Sequence, residues 1–362
     1  MKMASAINWQ DPTDLIWLQT GFLGDIVLTT AAIRLGRQLF PGARHYLITT
    51  PVGAEALGSW SGLDQIISWN KREGIVAAFQ EIKARFTGLV GARPVLLRPH
   101  GSIRSALLGQ YLGWPVISHR EGHLSVLSMQ RVTRVAVLHE AQRVAMLLES
   151  LGARREDIAR AMPTLDPQPQ PSAAWAAAID ALPEFKIGIA PGSVWATKRW
   201  LPEGFRDLVG MILEQTDAGI VMLGGRDEAS LVDEIIAPYR GHQRLVNTAG
   251  QTKIRDMLWL VPRLGQIVAN DSAPVHFATA FGVPTLAIFG ATLPEMGFAP
   301  LAPGSVTVGL EQLSCRPCGA HGHHVCPQGH FRCMRDLSSA TIMASLLRMR
   351  RKAEGESLRP QE

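Results

Sequence analysis

Residues 267–292 read IVANDSAPVHFATAFGVPTLAIFGAT, and no other stretch constrains the fold as tightly. Ile267-Val-Ala269 is a short apolar, β-branched run of the kind that forms a buried strand. Asn270-Asp271-Ser272 follows, and either Asp271 or Ser272 is placed to cap a helix. Pro274 then falls where the first helical turn needs no amide donor. Val275, Ala278 and Phe281 recur at helical spacing, Gly282 ends the helix, and Pro284 bars its continuation. A second apolar run closes at Gly290. The segment therefore predicts strand, tight loop, helix and strand, which is one βαβ unit. Its loop lies at the carboxyl end of a strand and the amino end of a helix, where open α/β sheets bind ligands and free amides favour anions.

The same alternation runs through the whole chain. Strands are expected at 15–19, 46–49, 65–68, 94–98 and near Val116 and Val135, with helices at 26–40, 74–86, 102–112 and 139–151. Residues 163–173 read PTLDPQPQPSA, and four prolines in that span predict a stiff, exposed linker. The pattern then restarts, with strands at 186–190, 219–223, 244–247 and 267–269 and helices at 203–214, 228–236 and 253–261. A last helix at 338–351 precedes a polar tail expected to be disordered. Two mostly parallel sheets, each covered on both faces, follow. The boundaries read as an N-terminal domain over 1–165, a linker and the start of the second domain over 166–183, a C-terminal domain over 184–336 and a helix with its tail over 337–362.

Three more segments carry groups suited to a nucleotide diphosphate. Thr20-Gly-Phe-Leu-Gly24-Asp25 joins the first strand to its helix, so Asp25 is either a helix cap or a carboxylate aimed at a ligand. It is not GxGxxG. Gly192, Ser193, Thr197 and Lys198 offer a turn, two hydroxyls and a cation to phosphate oxygens, although no P-loop is formed. Alone, this segment also reads as a solvated basic loop. Gly225, Asp227 and Glu228 end a strand with a glycine and two acids, an arrangement suited to ribose hydroxyls or simply to an acidic first helical turn. No two aspartates are separated by a single residue, so a cation-holding Asp-x-Asp is absent.

The net charge of +5 fits a phosphate-bearing ligand or an anionic membrane surface. No nucleic-acid-binding signature accompanies it, so no nucleic-acid partner is expected. The N-terminal residues have no signal-peptide core and no run is long enough to span a bilayer, which predicts a cytoplasmic protein. All four cysteines fall between Cys315 and Cys333, spaced C-x₂-C-x₇-C-x₆-C. Cys315, Cys318, Cys326 and Cys333 can close a tetrahedral structural zinc site, or remain as free or oxidised thiols.

Taken in order, these segments resemble glycosyltransferase family nine, the lipopolysaccharide heptosyltransferases. The matching pieces are Thr20 to Asp25, Pro191-Gly-Ser193, Thr197-Lys-Arg-Trp200, Gly224-Gly225, Asn270-Asp-Ser272 with His276, and Phe289-Gly290. The cysteine segment looks most like the heptosyltransferase II branch. The resemblance implies a GT-B fold: two Rossmann-like, doubly wound α/β domains facing across a cleft. It implies inverting transfer of L-glycero-D-manno-heptose from ADP-heptose to the inner core of lipopolysaccharide, with no metal required for catalysis and any zinc distant from it. It also implies an enzyme peripheral to the inner membrane. Asp25 matches the family's general base and Lys198 its phosphate-binding lysine. Gly24, Gly192, Ser193, Thr197, Gly225, Asp227, Glu228, Asp271, Ser272, Ala273 and His276 are the expected donor contacts. Arg98, His100, Arg104, Arg120 and Arg143 are candidates for the acidic acceptor. Ala273-Pro274 departs from the glycine the family usually carries after its Asp-Ser pair.

Overall fold

A computed structural model describes residues 11–71 and 74–353; the polar tail lies outside the described residues. The chain divides into two compact units, Met1–Asp166 and Pro167–Glu362.

In unit 1 the strands are β1 (Asp14–Gln19), β2 (Arg44–Thr49), β3 (Gln65–Ser68), β4 (Pro94–Arg98), β5 (Val116–His119) and β6 (Gln130–Val132). They pair in parallel in the order β3-β2-β1-β4-β5-β6. Its helices are α1 (Leu23–Leu39), α2 (Pro51–Leu57), α3 (Ile75–Phe86), α4 (Ile103–Leu112), α5 (Glu140–Ala145) and α6 (Arg155–Ala159). Leu15, Ile16, Trp17 and Leu18 of β1 are fully buried, as a strand covered on both faces requires.

Unit 2 contains β7 (Lys186–Ala190), β8 (Gly219–Met222), β9 (Leu245–Asn247), β10 (Gln266–Asn270), β11 (Thr285–Ile288) and β12 (Val306–Val308). Their order, β12-β11-β10-β7-β8-β9, is the same topology read from the other edge, again all parallel. The helices are α7 (Ala174–Asp180), α8 (Pro202–Gln215), α9 (Ala229–Ile236), α10 (Met257–Leu260), α11 (Ala273–Phe281), α12 (Arg332–Arg335) and α13 (Ser339–Ala353). Ile342, Met343, Leu346 and Met349 of α13 join the core formed by β7, β8 and α8.

Each sheet thus winds outward in both directions from a central pair, β1 and β4 in unit 1, β7 and β10 in unit 2. The loops leaving such a pair diverge to opposite faces and leave a crevice at the strands' carboxyl ends.

Several local expectations need correction. The strand placed near Val135 lies at Gln130–Val132 instead, because the Val135 and Ala136 carbonyls accept from the Arg143 guanidinium rather than from a neighbouring strand. The helix over 139–151 is α-helical only to Ala145 and continues as a 3₁₀ turn. The helix expected over 253–261 is a 3₁₀ turn at Ile254–Asp256 followed by one α-helical turn, Met257–Leu260, beyond which Pro262 bars α-helical continuation. Pro163 and Leu165 are buried, and Thr164 N donates to Thr30 Oγ1 at 3.0 Å, so the proline-rich segment begins packed on unit 1 rather than exposed.

Candidate active site

In unit 2 the loops after β7 and β10 meet at the switch point of the sheet. The buried side chain of Asn270, last residue of β10, ties them together. Its Nδ2 donates to Pro191 O at 2.7 Å, and its Oδ1 accepts from Trp200 N at 3.0 Å. The next residue, Asp271, accepts from Lys198 Nζ and from Thr292 Oγ1 through the same oxygen, both at 2.6 Å. Lys198 and Asp271 are largely buried, with side chains 13% and 7% exposed. The ammonium is therefore held in one place at the amino end of α11, where the helix dipole also favours an anion.

The donor candidates sort into distinct roles. Asp271 aims one carboxylate oxygen at Lys198 and Thr292, so it holds the cation in place. Ser272 occupies the N-cap of α11, but its hydroxyl donates to Asn270 O at 3.2 Å and caps no amide. Ala273 and Pro274 form the first helical turn, and Pro274 brings no N–H there. His276 is buried and packs edge-on to Phe298, with ring centroids 6.1 Å apart. Ser193 is buried, and its carbonyl accepts from Arg199 Nε at 2.7 Å. Thr197 is bonded to His323, as donor to its carbonyl and acceptor from its amide. Glu228 accepts from Gly225 N at 2.9 Å through Oε2, and its other oxygen lies against Gly192. A Cβ on Gly192 would stand 1.6 Å from that oxygen, so any side chain there would require the Glu228 carboxylate to move. Asp227 is exposed.

The corresponding switch point of unit 1 joins the loops after β1 and β4. Asp25 is the third residue of α1, and its Oδ2 accepts from Phe22 N at 3.2 Å. A Cβ on Gly21 would meet Asp25 Oδ2 at 2.9 Å, Gln19 Oε1 at 3.1 Å and His100 Nδ1 at 3.3 Å. The missing side chain of Gly21 thus lets carboxylate, amide and imidazole share one spot. Gly24 is buried in the first turn of α1. Burial, then the nearby Lys71 and Arg98 charges, lower the pKa of His100 to about 4, so its imidazole is neutral at pH 7. Lys71 itself donates to Thr20 O.

The acceptor candidates differ in exposure. Arg98 is buried at the end of β4 with Nη1 on the carbonyls of Ser102 and His123, while its Nε and Nη2 find no partner among the described residues. Arg143 is buried against Glu140 and the Val135 and Ala136 carbonyls, so it holds a loop and offers no surface charge. Arg104 is exposed and donates to Lys71 O at 2.7 Å, and Arg120 is exposed.

Sequence reasoning gave Asn270 no role in joining the two loops, and missed Thr292 and the 309–331 loop as parts of this site. That loop packs directly on it. Arg316 donates to the carbonyls of Phe289, Gly290, Thr292 and Leu310. Gly322 lies against Thr197, Lys198 and Trp195. The loop that carries the cysteines thus reaches Thr197 and Lys198 through Gly322 and His323.

The profile of Glycosyltransferase family 9 (heptosyltransferase) matches residues 94–326. The chain belongs to this family. A lipooligosaccharide heptosyltransferase 2 of Campylobacter jejuni is 27% identical over 169 residues, a match that covers 45% of this chain and 51% of the relative. The chain thus spans about half the length of that relative. Among solved structures, a family 9 glycosyl transferase of Veillonella parvula superposes with a TM-score of 0.77 at 17% identity, covering 94% of this chain and 97% of the other. The ADP-heptose lps heptosyltransferase II of Escherichia coli gives 0.74 at 18% identity, covering 94% and 99%. These likenesses identify the fold of this family 9 chain as GT-B. Among the described residues no helix is long and apolar enough to cross a membrane.

Proposed function

We propose that this chain is a heptosyltransferase that moves L-glycero-D-manno-heptose from ADP-heptose to the inner core of lipopolysaccharide. The observation that carries the reading is the Lys198 ammonium, fixed by Asp271 and Thr292 at the switch point of unit 2, within a family 9 chain. Lys198 and the amino end of α11 take the diphosphate, and Gly192 and Gly225 let the nucleotide approach the backbone closely. The acceptor oxygen attacks the anomeric carbon as the bond to ADP breaks, which inverts that carbon. Asp25 takes the acceptor's proton, and Lys198 neutralises charge appearing on ADP. The neutral imidazole of His100 beside Asp25 can pass hydrogen bonds without competing for that charge. No divalent cation is needed, because Lys198 and the helix end supply the positive charge.

An acceptor of this kind is anchored in a membrane, and unit 1 offers a face suited to one. Ile103 and Leu107 on α4, with Leu124, Val126, Leu127 and Met129 in the neighbouring turn, are 40–72% exposed. Gln110 Nε2 holds that turn to α4 through Leu127 O at 2.7 Å. The exposed Arg104, Arg120 and Arg131 flank this region and complement anionic lipid. The basic end of α13 is a weaker membrane contact. Arg350 is tied to Asp217 at 2.8 Å and lies 4.5 Å over Phe185, and Arg348 donates to Ser345.

A second reading keeps the fold and reaction but changes the sugar nucleotide. It is favoured by Ala273, whose methyl group stands where the family usually has glycine after the Asp-Ser pair. Incubation with ADP-heptose and heptose-deficient lipopolysaccharide separates the two. The first reading requires release of ADP and a gain of one heptose in the product. Absence of transfer, with turnover of another sugar nucleotide, supports the second.

A further inference from the structure

A lysine ammonium rides on a flexible four-carbon stem, so it meets a ligand in one place only if stem and tip are both held. Asp271 holds the tip of Lys198. The stem is met by residues 309–331, which lie between β12 and α12 and form neither helix nor strand. Gly322 in that segment is buried, with φ +82°. A Cβ on it would stand 3.0 Å from Thr197 Oγ1, 3.3 Å from Lys198 Cγ and 3.4 Å from Trp195 Cβ. The next residue grips Thr197 through its backbone. Thr197 N donates to His323 O at 3.0 Å, and His323 N donates to Thr197 Oγ1 at 2.7 Å. The same hydroxyl donates to His323 O at 3.0 Å. Thr197 is 3% exposed, and its one hydroxyl proton is already committed to the loop. It can donate to a phosphate oxygen only by letting His323 go.

The same segment holds the other flank of the Lys198–Asp271 pair. Arg316 Nη2 donates to Phe289 O at 3.0 Å and to Thr292 O at 3.1 Å, and Cys318 N donates to Ala291 O at 2.8 Å. Thr292 is the residue whose hydroxyl donates to Asp271. Contacts therefore run in a closed circuit, from Lys198 to Asp271, Thr292 and Arg316, then along the loop to Gly322 and His323 and back to Thr197. Among the described residues no three His, Cys, Asp or Glu side chains converge to hold a metal ion, so these contacts are what the structure offers to place the loop. We propose that residues 316–323 position Lys198, with Gly322 packing its stem and Thr197 serving as the loop's anchor instead of a phosphate ligand. This role rests on Lys198 being the diphosphate cation of the proposed transferase. Any side chain at position 322 would press on the lysine stem and the Thr197 hydroxyl, in a backbone conformation that favours glycine.

The test uses the full chain and inorganic pyrophosphate, the part that all nucleotide-diphosphate sugars share, so it depends on neither base nor sugar. Gly322→Ala adds the obstructing methyl group, and Thr197→Val removes the hydroxyl with little change of shape. Isothermal titration should show each binding pyrophosphate about ten-fold more weakly, at the low end of losing a charged hydrogen bond outright. Thr197→Ser keeps the hydroxyl and should stay within about two-fold of wild type. Without ligand, the His323 amide should exchange hydrogen roughly ten-fold faster or more in Gly322→Ala and Thr197→Val. The double variant should lose little beyond either single one, because both loosen one contact. Thr197→Val that binds weakly while His323 exchange is unchanged would make Thr197 a phosphate ligand and overturn its role as anchor. Faster exchange with pyrophosphate affinity unchanged would leave the loop a structural contact only and overturn the positioning of Lys198. A wild-type chain that does not bind pyrophosphate would remove Lys198 as the diphosphate cation, and the positioning role with it. Failure to transfer heptose, with affinity and exchange changing as expected, would overturn the heptosyltransferase reading alone.

Discussion

Lys198 and Asp271, 73 residues apart in the chain, form a 2.6 Å ion pair that brings the loop after β7 against the loop after β10. The pair is nearly buried, so each partner restrains the other, and an ammonium has two further donors to offer the proposed diphosphate. Lys198→Ala should raise the Kd for ADP about 10- to 100-fold, the range expected for losing a hydrogen bond between charged groups. Asp271→Asn keeps the shape but loosens the lysine, and should give a smaller loss of affinity. Isothermal titration with ADP checks both, and equal affinities in all three proteins would remove Lys198 from the donor site.

Asp25→Asn should lower turnover about 10²- to 10⁴-fold, the usual contribution of a general base. ADP affinity should stay unchanged, since the proposed role of Asp25 is to take the acceptor's proton. Stopped-time product analysis beside the titration separates the two effects. Turnover close to wild type would refute the proposed base.

Gly192→Ala should force Glu228 from its place, because the added Cβ would stand 1.6 Å from the carboxylate oxygen. The displaced Glu228 would release Gly225 N, and because a flexible carboxylate can swing aside the change should cost only about 0.5–1.5 kcal/mol, the net worth of that hydrogen bond. Glu228→Ala in the same chain should recover part of that loss. A double-mutant cycle in urea measures the coupling, and strictly additive costs would show that the two side chains do not compete.

Acid should weaken unit 1 well before its carboxylates protonate. Burial first, with nearby arginines, lowers the pKa of both His45 and His119 to about 3. Unfolded chains bind these protons near pH 6.5, so between pH 6.5 and 3 the unfolded state holds more protons and stability falls as pH falls. From pH 7 to pH 5 each histidine should cost on the order of 2 kcal/mol. Urea unfolding followed by amide hydrogen exchange in the β1 and β2 strands should show a lower midpoint at pH 5. His45→Gln should reduce the difference, and identical midpoints at both pH values would contradict it.

Turnover should not rise when magnesium is added to protein that retains its native metal content. A requirement for added magnesium would assign the neutralising charge to a cation instead of Lys198. Sedimentation with anionic vesicles should fall several-fold for Val126→Asp/Met129→Asp, with ADP affinity unchanged. Equal sedimentation of both proteins would move the membrane contact away from that face.

The architecture was legible because buried parallel strands write themselves as continuous apolar runs. Strands at Gln65–Ser68, Pro94–Arg98 and Lys186–Ala190 coincide with their expected limits. The shortest elements carried no such signal. β12 has three residues at a sheet edge, and α2 is seven residues interrupted by Gly53. Within the site, Asp25, Lys198 and Asp271 stood out as charges beside strand ends. Their partners did not. The bond from Thr292 to Asp271 spans 21 residues, and that from Asn270 to Pro191 spans 79, so only the closed sheet brings them together. His323 reaches Thr197 from 126 residues away through a loop with no periodicity to read.

Arg316 satisfies four carbonyls from two separate turns, around Phe289 to Thr292 and at Leu310. Its planar fork can serve them together, whereas a lysine in its place has one nitrogen to aim. Those turns therefore behave as one inheritable block. A chimera that takes residues 289–292 from one relative and 309–318 from another should misplace Thr292 even if every strand is retained, so crossover points belong outside that pair.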